Sequence, residues 1–269
     1  MKLDIKKSQK ISLNILKTVT DICEKLNLRY YLMYGTLIGA IRHKGFIPWD
    51  DDVDIMMPRK DHDILVKFFL DNPTALCGLN LFTPFNNLKY PYMITRISDP
   101  NFKIIVRNEK AYGMGVFIDI YPFDGLGNEL DKALLIEKKG DKLSSLCYLS
   151  TRNHFSKENT EGFIKNVVKF PAFIIAKIIG KDYFQKELSK LKNNNFDDSK
   201  YVSCTVWASG GEKDIFKSKW FRDFKYAKFE NYKFRIPIDY DIVLKHTYGD
   251  YMQLPDPDKR IGHHFYELK

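Results

Sequence analysis

Four aspartates fall within five positions, Asp50, Asp51, Asp52 and Asp54, and run straight into the apolar residues Ile55, Met56 and Met57 before Pro58. The stretch reads as a buried strand whose mouth is crowded with negative charge. Carboxylates gathered this way repel one another and are costly to desolvate. A fold that holds them has to bring something positive to the same place.

The residues just upstream suggest what that is. "RYYLMYG" reads as a strand ending at Gly35, and "TLIGAIRH" as a short helix that follows directly. A Gly-Thr turn entering a helix can present backbone N–H groups and the Thr36 hydroxyl to a phosphate. "GFIPWDD" reads as loop, and Pro48-Trp49 should keep Asp50 outside the strand ladder. If Asp52 opens the strand, Asp52 and Asp54 share one face, about 7 Å apart. Two such carboxylates suit a hard cation that retains waters for a phosphate to replace. A third acid is wanted nearby. Asp119, alone in the apolar "GVFIDIYP", is the best candidate, and Asp50 is the alternative to Asp54 as a ligand. Two metals bridged by phosphate would clamp the attacking and leaving oxygens. Mg²⁺ and Mn²⁺ both suit oxygen donors.

The rest of the chain has an α+β order. Apolar residues from Ile11 to Leu26 recur at helical spacing, and Arg59 to Leu70 reads as a second helix. "LNLFT", "YMITRIS", "FKIIVRN" and "GVFIDIYP" read as strands. Residues 128–193 look mainly helical, and "YVSCTVW" resumes strand character. "FKYAKFENYKFRIP" reads as a hairpin turning at Glu230-Asn231, with Asp239 capping a last helix that stops at Gly249. The tail after Asp250 reads as loop.

The chain has 269 residues, 44% hydrophobic and 14% aromatic, enough for a substantial core. A net charge of +9 favours an anionic partner. Nucleic acid is not expected, because the basic residues are dispersed and three placed carboxylates would repel a phosphate backbone. Cys23, Cys77, Cys147 and Cys204 lack metal-site spacing and read as buried, reduced thiols of a cytoplasmic protein. No signal peptide or membrane-spanning stretch is expected. The apolar run at 162–180 carries Lys165, Lys169 and Lys177 within about a third of a helix circumference. It suits either a helix lying in a membrane interface or a core helix with one wet stripe.

Four separated blocks, "GTLIGAIRHKGFIPWDDDVDIMMPR", "GVFIDIYPFDG", "YGDYMQLPDPDKR" and the "HH" near the end, resemble the LicD family of phosphocholine transferases. That family is distantly related to fukutin and fukutin-related protein and belongs to the nucleotidyltransferase-fold superfamily. The resemblance implies a mixed or antiparallel sheet flanked by helices. It implies a catalytic core over 1–127, a helical insert over 128–200, and a hairpin, helix and histidine tail over 201–269 that complete one compact unit. Carried over, Asp52, Asp54 and Asp119 would be metal ligands, with Asp119 also a base, and Gly35 and Thr36 would meet phosphate. The Gly-Thr to Asp52 gap is longer than in many polymerase-like members, which leaves Asp50 against Asp54 open.

The implied reaction moves phosphocholine from CDP-choline to a sugar hydroxyl of a lipid-linked teichoic acid or lipopolysaccharide precursor, and CMP leaves. It would run in the cytoplasm at the inner membrane face. Another CDP-alcohol (ribitol, glycerol or ethanolamine) and true nucleotidyl transfer are the rivals. Arg42, His43, Lys44, Arg260, His263 and His264 are candidates for the diphosphate. Arg59 is a candidate partner of Asp50 or Asp51. Trp49, Tyr90, Tyr92, Tyr112, Tyr121 and Trp207 are candidates for a choline cage. Tyr248, Gly249 and Asp250 are expected to fold a helix end against the site.

Overall fold

The computed structural model describes residues 3–106, 108–155, 163–207, 210–260 and 266–268, and of 163–169, 267 and 268 the backbone alone. Helix α1 (Ile5–Lys25) opens the chain, capped by Asp4, whose carboxylate accepts from the Lys7 N–H at 3.0 Å. It begins before Ile11, and apolar spacing does not show those turns because their buried positions are polar, Ser8, Gln9 and Ser12. Strand β1 (Tyr31–Leu32) is shorter than expected. The chain turns at Met33 into α2 (Tyr34–Ile38), which continues as a wider helical turn over Gly39–His43.

One mixed sheet carries the fold. Its strands are β1, β2 (Asp54–Pro58), β3 (Asn80–Phe82), β4 (Thr95–Ser98), β6 (Phe117–Gly127), β7 (Tyr201–Ser203) and β8 (Phe216–Lys217). The main order is β1-β2-β6-β4-β3, and β7 joins the far end of β6 with β8 beyond it. Among the described residues only β2 and β6 run parallel, and their register sets Asp54 beside Asp119. Helix α3 (Arg59–Asp71) follows β2 and packs on β2 and β6. Strand β5 (Phe102–Ile104) pairs with β11 (Tyr266–Leu268) near the C-terminus.

Strand β6 runs five residues past Pro122, which the sequence suggests as its end. Asp119 donates its N–H to Val53 of the β2 side, so odd-numbered residues face β2 and even-numbered ones face the other neighbour. On that other side β4 covers residues 117–120 and β7 begins at Asp124. Pro122 falls between them, where its missing N–H leaves no ladder bond unmade.

The helical stretch comprises α4 (Leu130–Thr151), α5 (Phe163–Ile179) and α6 (Lys181–Ser189), packed on one another. The expected hairpin is β9 (Phe224–Phe229) and β10 (Tyr232–Pro237), in register about Glu230-Asn231. Helix α7 (Tyr240–Tyr248) ends at Gly249 with φ +69°, a conformation suited to glycine. Asp239 stands at its N-cap but its side chain makes no capping bond. Cys23, Cys147 and Cys204 are buried thiols, whereas Cys77 is exposed, against expectation.

Candidate active site

The site is built where β1, α2, β2 and β6 meet. Met33 donates its N–H to the Asp54 carbonyl at 3.0 Å, and Asp54 donates its own N–H to the Thr36 hydroxyl at 2.9 Å. Thr36 therefore fixes the first residue of β2. Tyr34 adopts φ +50°, a left-handed conformation uncommon for a bulky residue, at the step from β1 into α2. A Cβ on Gly35 would lie 2.7 Å from the Asp50 Oδ2, so a larger residue there would displace the Asp50 carboxylate. Buried Gln9 holds that loop from α1, donating to the Ile47 and Asp50 carbonyls at 3.2 and 2.8 Å.

The ladder begins at Asp54, not Asp52. Asp52 sits on the approach, its N–H held by the Asp50 carboxylate at 3.2 Å. Strand alternation thus does not place Asp52 and Asp54, and the Asp50 turn does. Asp51 is buried, and the Tyr266 hydroxyl is raised first by burial and then by Asp51 and Asp52. The Asp54 carboxyl is pushed well above the ordinary range, first by burial, then by Asp52, Asp119 and Asp50, while Arg96 opposes. Four carboxylates therefore share one field centred on Asp54.

Arg96 is the residue that sequence reasoning missed. It lies opposite Asp119 on β4 and donates to it from Nε at 2.6 Å and Nη2 at 3.3 Å. The guanidinium lies 4.6 Å from the Tyr92 ring centroid and 4.2 Å from that of Phe117. A lone charge in the apolar "YMITRIS" is the same signal that singled out Asp119. Tyr34 and Tyr121 meet edge to face at 5.2 Å, and Asp54 raises both hydroxyls behind the dominant effect of burial. Tyr248, at the end of α7, is raised by burial and then by Asp54, Asp214 and Asp50. The residue itself is 44% exposed, and the helix that carries it packs against α2.

Arg42, His43, Trp49 and Arg260 form a second, basic group. Arg42 donates to His43 at 2.9 Å and to the Tyr251 and Gln253 carbonyls at 2.7 and 3.2 Å, tying the segment after α7 to α2. Arg260 lies 5.3 Å from the Trp49 ring centroid, and its charge lowers Arg42 after burial does. Trp49 thus already faces an internal cation. Lys44 is exposed, with its ammonium on the Ile41 carbonyl at 2.9 Å. His263 and His264 lie outside the described residues.

Arg59 does not reach Asp50 or Asp51. It is buried against Asp124, at 2.8 and 2.7 Å, because β2 ends just before it with Pro58 beside Phe123 of β6. Of the aromatic candidates, Tyr90, Tyr92, Tyr112 and Trp207 are contiguous. Tyr92 lies 5.3 Å from Trp207 and 5.4 Å from Tyr90, with Glu109 at its hydroxyl.

A hard divalent cation can be tested against these donors. The acid cluster is all oxygen, and the repulsion at Asp54 is what such a cation would relieve. Among the described residues no three His, Cys, Asp or Glu side chains gather into a ligand set, and Asp119 is engaged by Arg96. An ion such as Mg²⁺ takes one or two carboxylates plus substrate phosphates rather than a closed protein cage. Asp54 and Asp52 are the residues that would hold it, with Asp50 beside them.

An α+β sheet that sets paired aspartates on adjacent parallel strands, beside a Gly-Thr turn, defines a site of the nucleotidyltransferase kind. Comparison agrees. A family model described as LicD/FKTN/FKRP, nucleotidyltransferase domain, matches residues 27–143. The chain is 31% identical over 272 residues to the lipopolysaccharide cholinephosphotransferase LicD of Haemophilus influenzae, covering 99% of this chain and 98% of that protein. A 37-residue stretch is 49% identical to the ribitol 5-phosphate transferase FKRP of Homo sapiens, 14% of this chain and 8% of the relative. The chain belongs to the LicD family.

Proposed function

We propose that this protein transfers phosphocholine from CDP-choline to a sugar hydroxyl of a lipid-linked cell-surface glycan precursor, lipopolysaccharide or teichoic acid. It works in the cytoplasm, at the inner face of the membrane. The observation that carries this reading is Asp54 beside Asp119 at the head of β2 and β6, in a chain similar along its length to a protein named for cholinephosphate transfer to lipopolysaccharide.

In the reaction the sugar oxygen attacks the choline-bearing phosphorus. The bond from that phosphorus to the bridging oxygen breaks, CMP leaves with the bridging oxygen, and the hydroxyl proton passes to a carboxylate. A bound Mg²⁺ or Mn²⁺ would supply charge stabilisation for the diphosphate. Asp52, Asp54 and Asp50 would orient the donor. Arg42, His43 and Arg260 offer cationic and hydrogen-bonding groups to its phosphates. Arg96 grips both carboxylate oxygens of Asp119, and Asp119 takes the proton as the substrate loosens that contact. Choline is recognised by Trp207, half-buried at the edge of the aromatic group.

The test is CMP release from CDP-choline in the presence of a lipid-linked glycan extract, with Mg²⁺ or with EDTA. Metal-dependent CMP is expected. The stretch similar to a ribitol 5-phosphate transferase makes CDP-ribitol the second donor to try. Consumption of CDP-ribitol with CDP-choline intact would keep the site and replace the donor. Nucleotide appearing in the glycan product would mean nucleotidyl transfer instead.

A further inference from the structure

The helix α5 presents its apolar side to solvent. Ile178 is 80% exposed, Ile175 54%, Phe170 50%, Ile179 44% and Ile174 40%. Steps of four and one keep these five on one side of the helix. Phe173 and Ala176, on the other side, are buried where α5 packs against α4 and α6. The sequence left open a core helix whose lysines form a wet stripe. The described half, from Phe170 on, is the reverse, with large apolar residues facing water.

We propose that this arc of α5 seats the protein on an anionic membrane surface. A contiguous patch of five large apolar side chains marks an interaction site rather than ordinary surface. Among the described residues no helix is long and apolar enough to cross a membrane, so the helix lies on the bilayer. Charge selects the partner. Phe163–Ile179 contains no Asp or Glu, and its charged residues are Lys165, Lys169 and Lys177. Lys177 stands at the margin of the arc, its ammonium 5.6 Å from the Phe173 ring centroid. A cation at the edge of an apolar face can keep its stem in the acyl boundary and its charge among head groups. The whole chain carries +9, which opposes a second copy docking here and favours an anionic bilayer. The surface is argued from α5 alone and does not depend on the donor. If the acceptor is lipid-linked, the same contact brings enzyme and acceptor into one plane.

The experiment is co-sedimentation of the full chain with vesicles of phosphatidylglycerol and phosphatidylcholine, or of phosphatidylcholine alone. The wild type should bind the mixed vesicles and bind pure phosphatidylcholine several-fold more weakly. Joint Ile175→Glu and Ile178→Glu should weaken binding at least about tenfold, and Lys177→Glu several-fold. All three residues lie outside the proposed catalytic machinery, so CMP release with detergent-solubilised acceptor should be unchanged, which separates this idea from the enzymatic one. No binding by the wild type at low salt would overturn the proposal, as would equal binding by the double variant. So would a wild-type dimer in light scattering that the double variant converts to monomer without any vesicle binding.

Discussion

Strand β6 carries two aspartates, each gripped by an arginine from a neighbouring element, and they serve opposite ends. Asp124 takes two bonds from Arg59, one from the Asn193 N–H at 2.8 Å and one from the Thr205 hydroxyl at 3.0 Å. Those four fill about what a carboxylate can accept. Asp119 takes two from Arg96 but lies beside Asp54, in a field of like charge. Five residues apart on one strand, the two point to opposite faces. A buried carboxylate whose acceptor sites are filled by donors is scaffold. One set among other carboxylates is costly to keep and marks where chemistry is done.

Neutralising each side should break the comparison in opposite directions. Asp54→Asn should lower CMP release by about 10³-fold. In EDTA it should also raise the melting temperature, because burial and three neighbouring carboxylates oppose the charge it removes. A fall in melting temperature would mean that Asp54 is a satisfied structural acid. Arg59→Leu should do the reverse, costing about 3 kcal/mol or more of unfolding free energy by stranding Asp124. The turnover of what remains folded should stay near normal. Urea unfolding and CMP release, measured on both variants, decide the matter. Loss of turnover from folded Arg59→Leu would make Asp124 part of the site.

The acid strand and Asp119 were legible because an acid run against an apolar stretch, and a charge alone in another, each demand a partner. The hairpin and α7 were legible from alternation and a terminal glycine. What was hidden depended on residues distant in sequence. Arg59 reads as a neighbour of Asp50 along the chain, but its partner is 65 residues on. Asp124 was invisible as a strand acid because Pro122 looks like a terminator until β4 and β7 are seen to leave a gap opposite it. The exposed apolar side of α5 was hidden for a different reason. Periodicity gives two faces without saying which one is packed.

Arg96→Lys sharpens the site's half of the comparison with a smaller effect. It keeps the charge but loses the fork that spans both Asp119 oxygens. CMP release should fall about tenfold, near 1.4 kcal/mol, with a smaller change in stability. If Arg96 served only to pack between Tyr92 and Phe117, turnover per folded molecule would be unchanged and the melting temperature alone would fall. The metal concentration for half-maximal activity should also shift in Arg96→Lys, since Asp119 is freer to turn toward the acid cluster.

The smallest effect lies on the scaffold side, at Asp63. Burial raises its carboxyl, but the bond from His62 at 3.1 Å, Lys192 at 2.5 Å and the Arg59 charge bring it down to about 2. The unfolded value is near 3.9. A depressed carboxylate stabilises the fold above its unfolded pKa and loses that contribution as pH falls through the folded one. Wild type should therefore exceed Asp63→Asn by about 1 to 2 kcal/mol near pH 6, allowing for partial exposure, and the gap should close towards about pH 2. Burial lowers His62 and so favours its neutral ring, while the Asp63 contact opposes that shift. Its Nδ1–H can then donate to Asp63 while Nε2 accepts from the Thr95 hydroxyl at 2.9 Å. Thr95 precedes Arg96 on β4, so the scaffold pair and the catalytic pair are joined through one histidine. A gap that stays constant with pH would reduce Asp63 to a neutral hydrogen-bonding group, and denaturant unfolding of the two proteins across that range reads it directly.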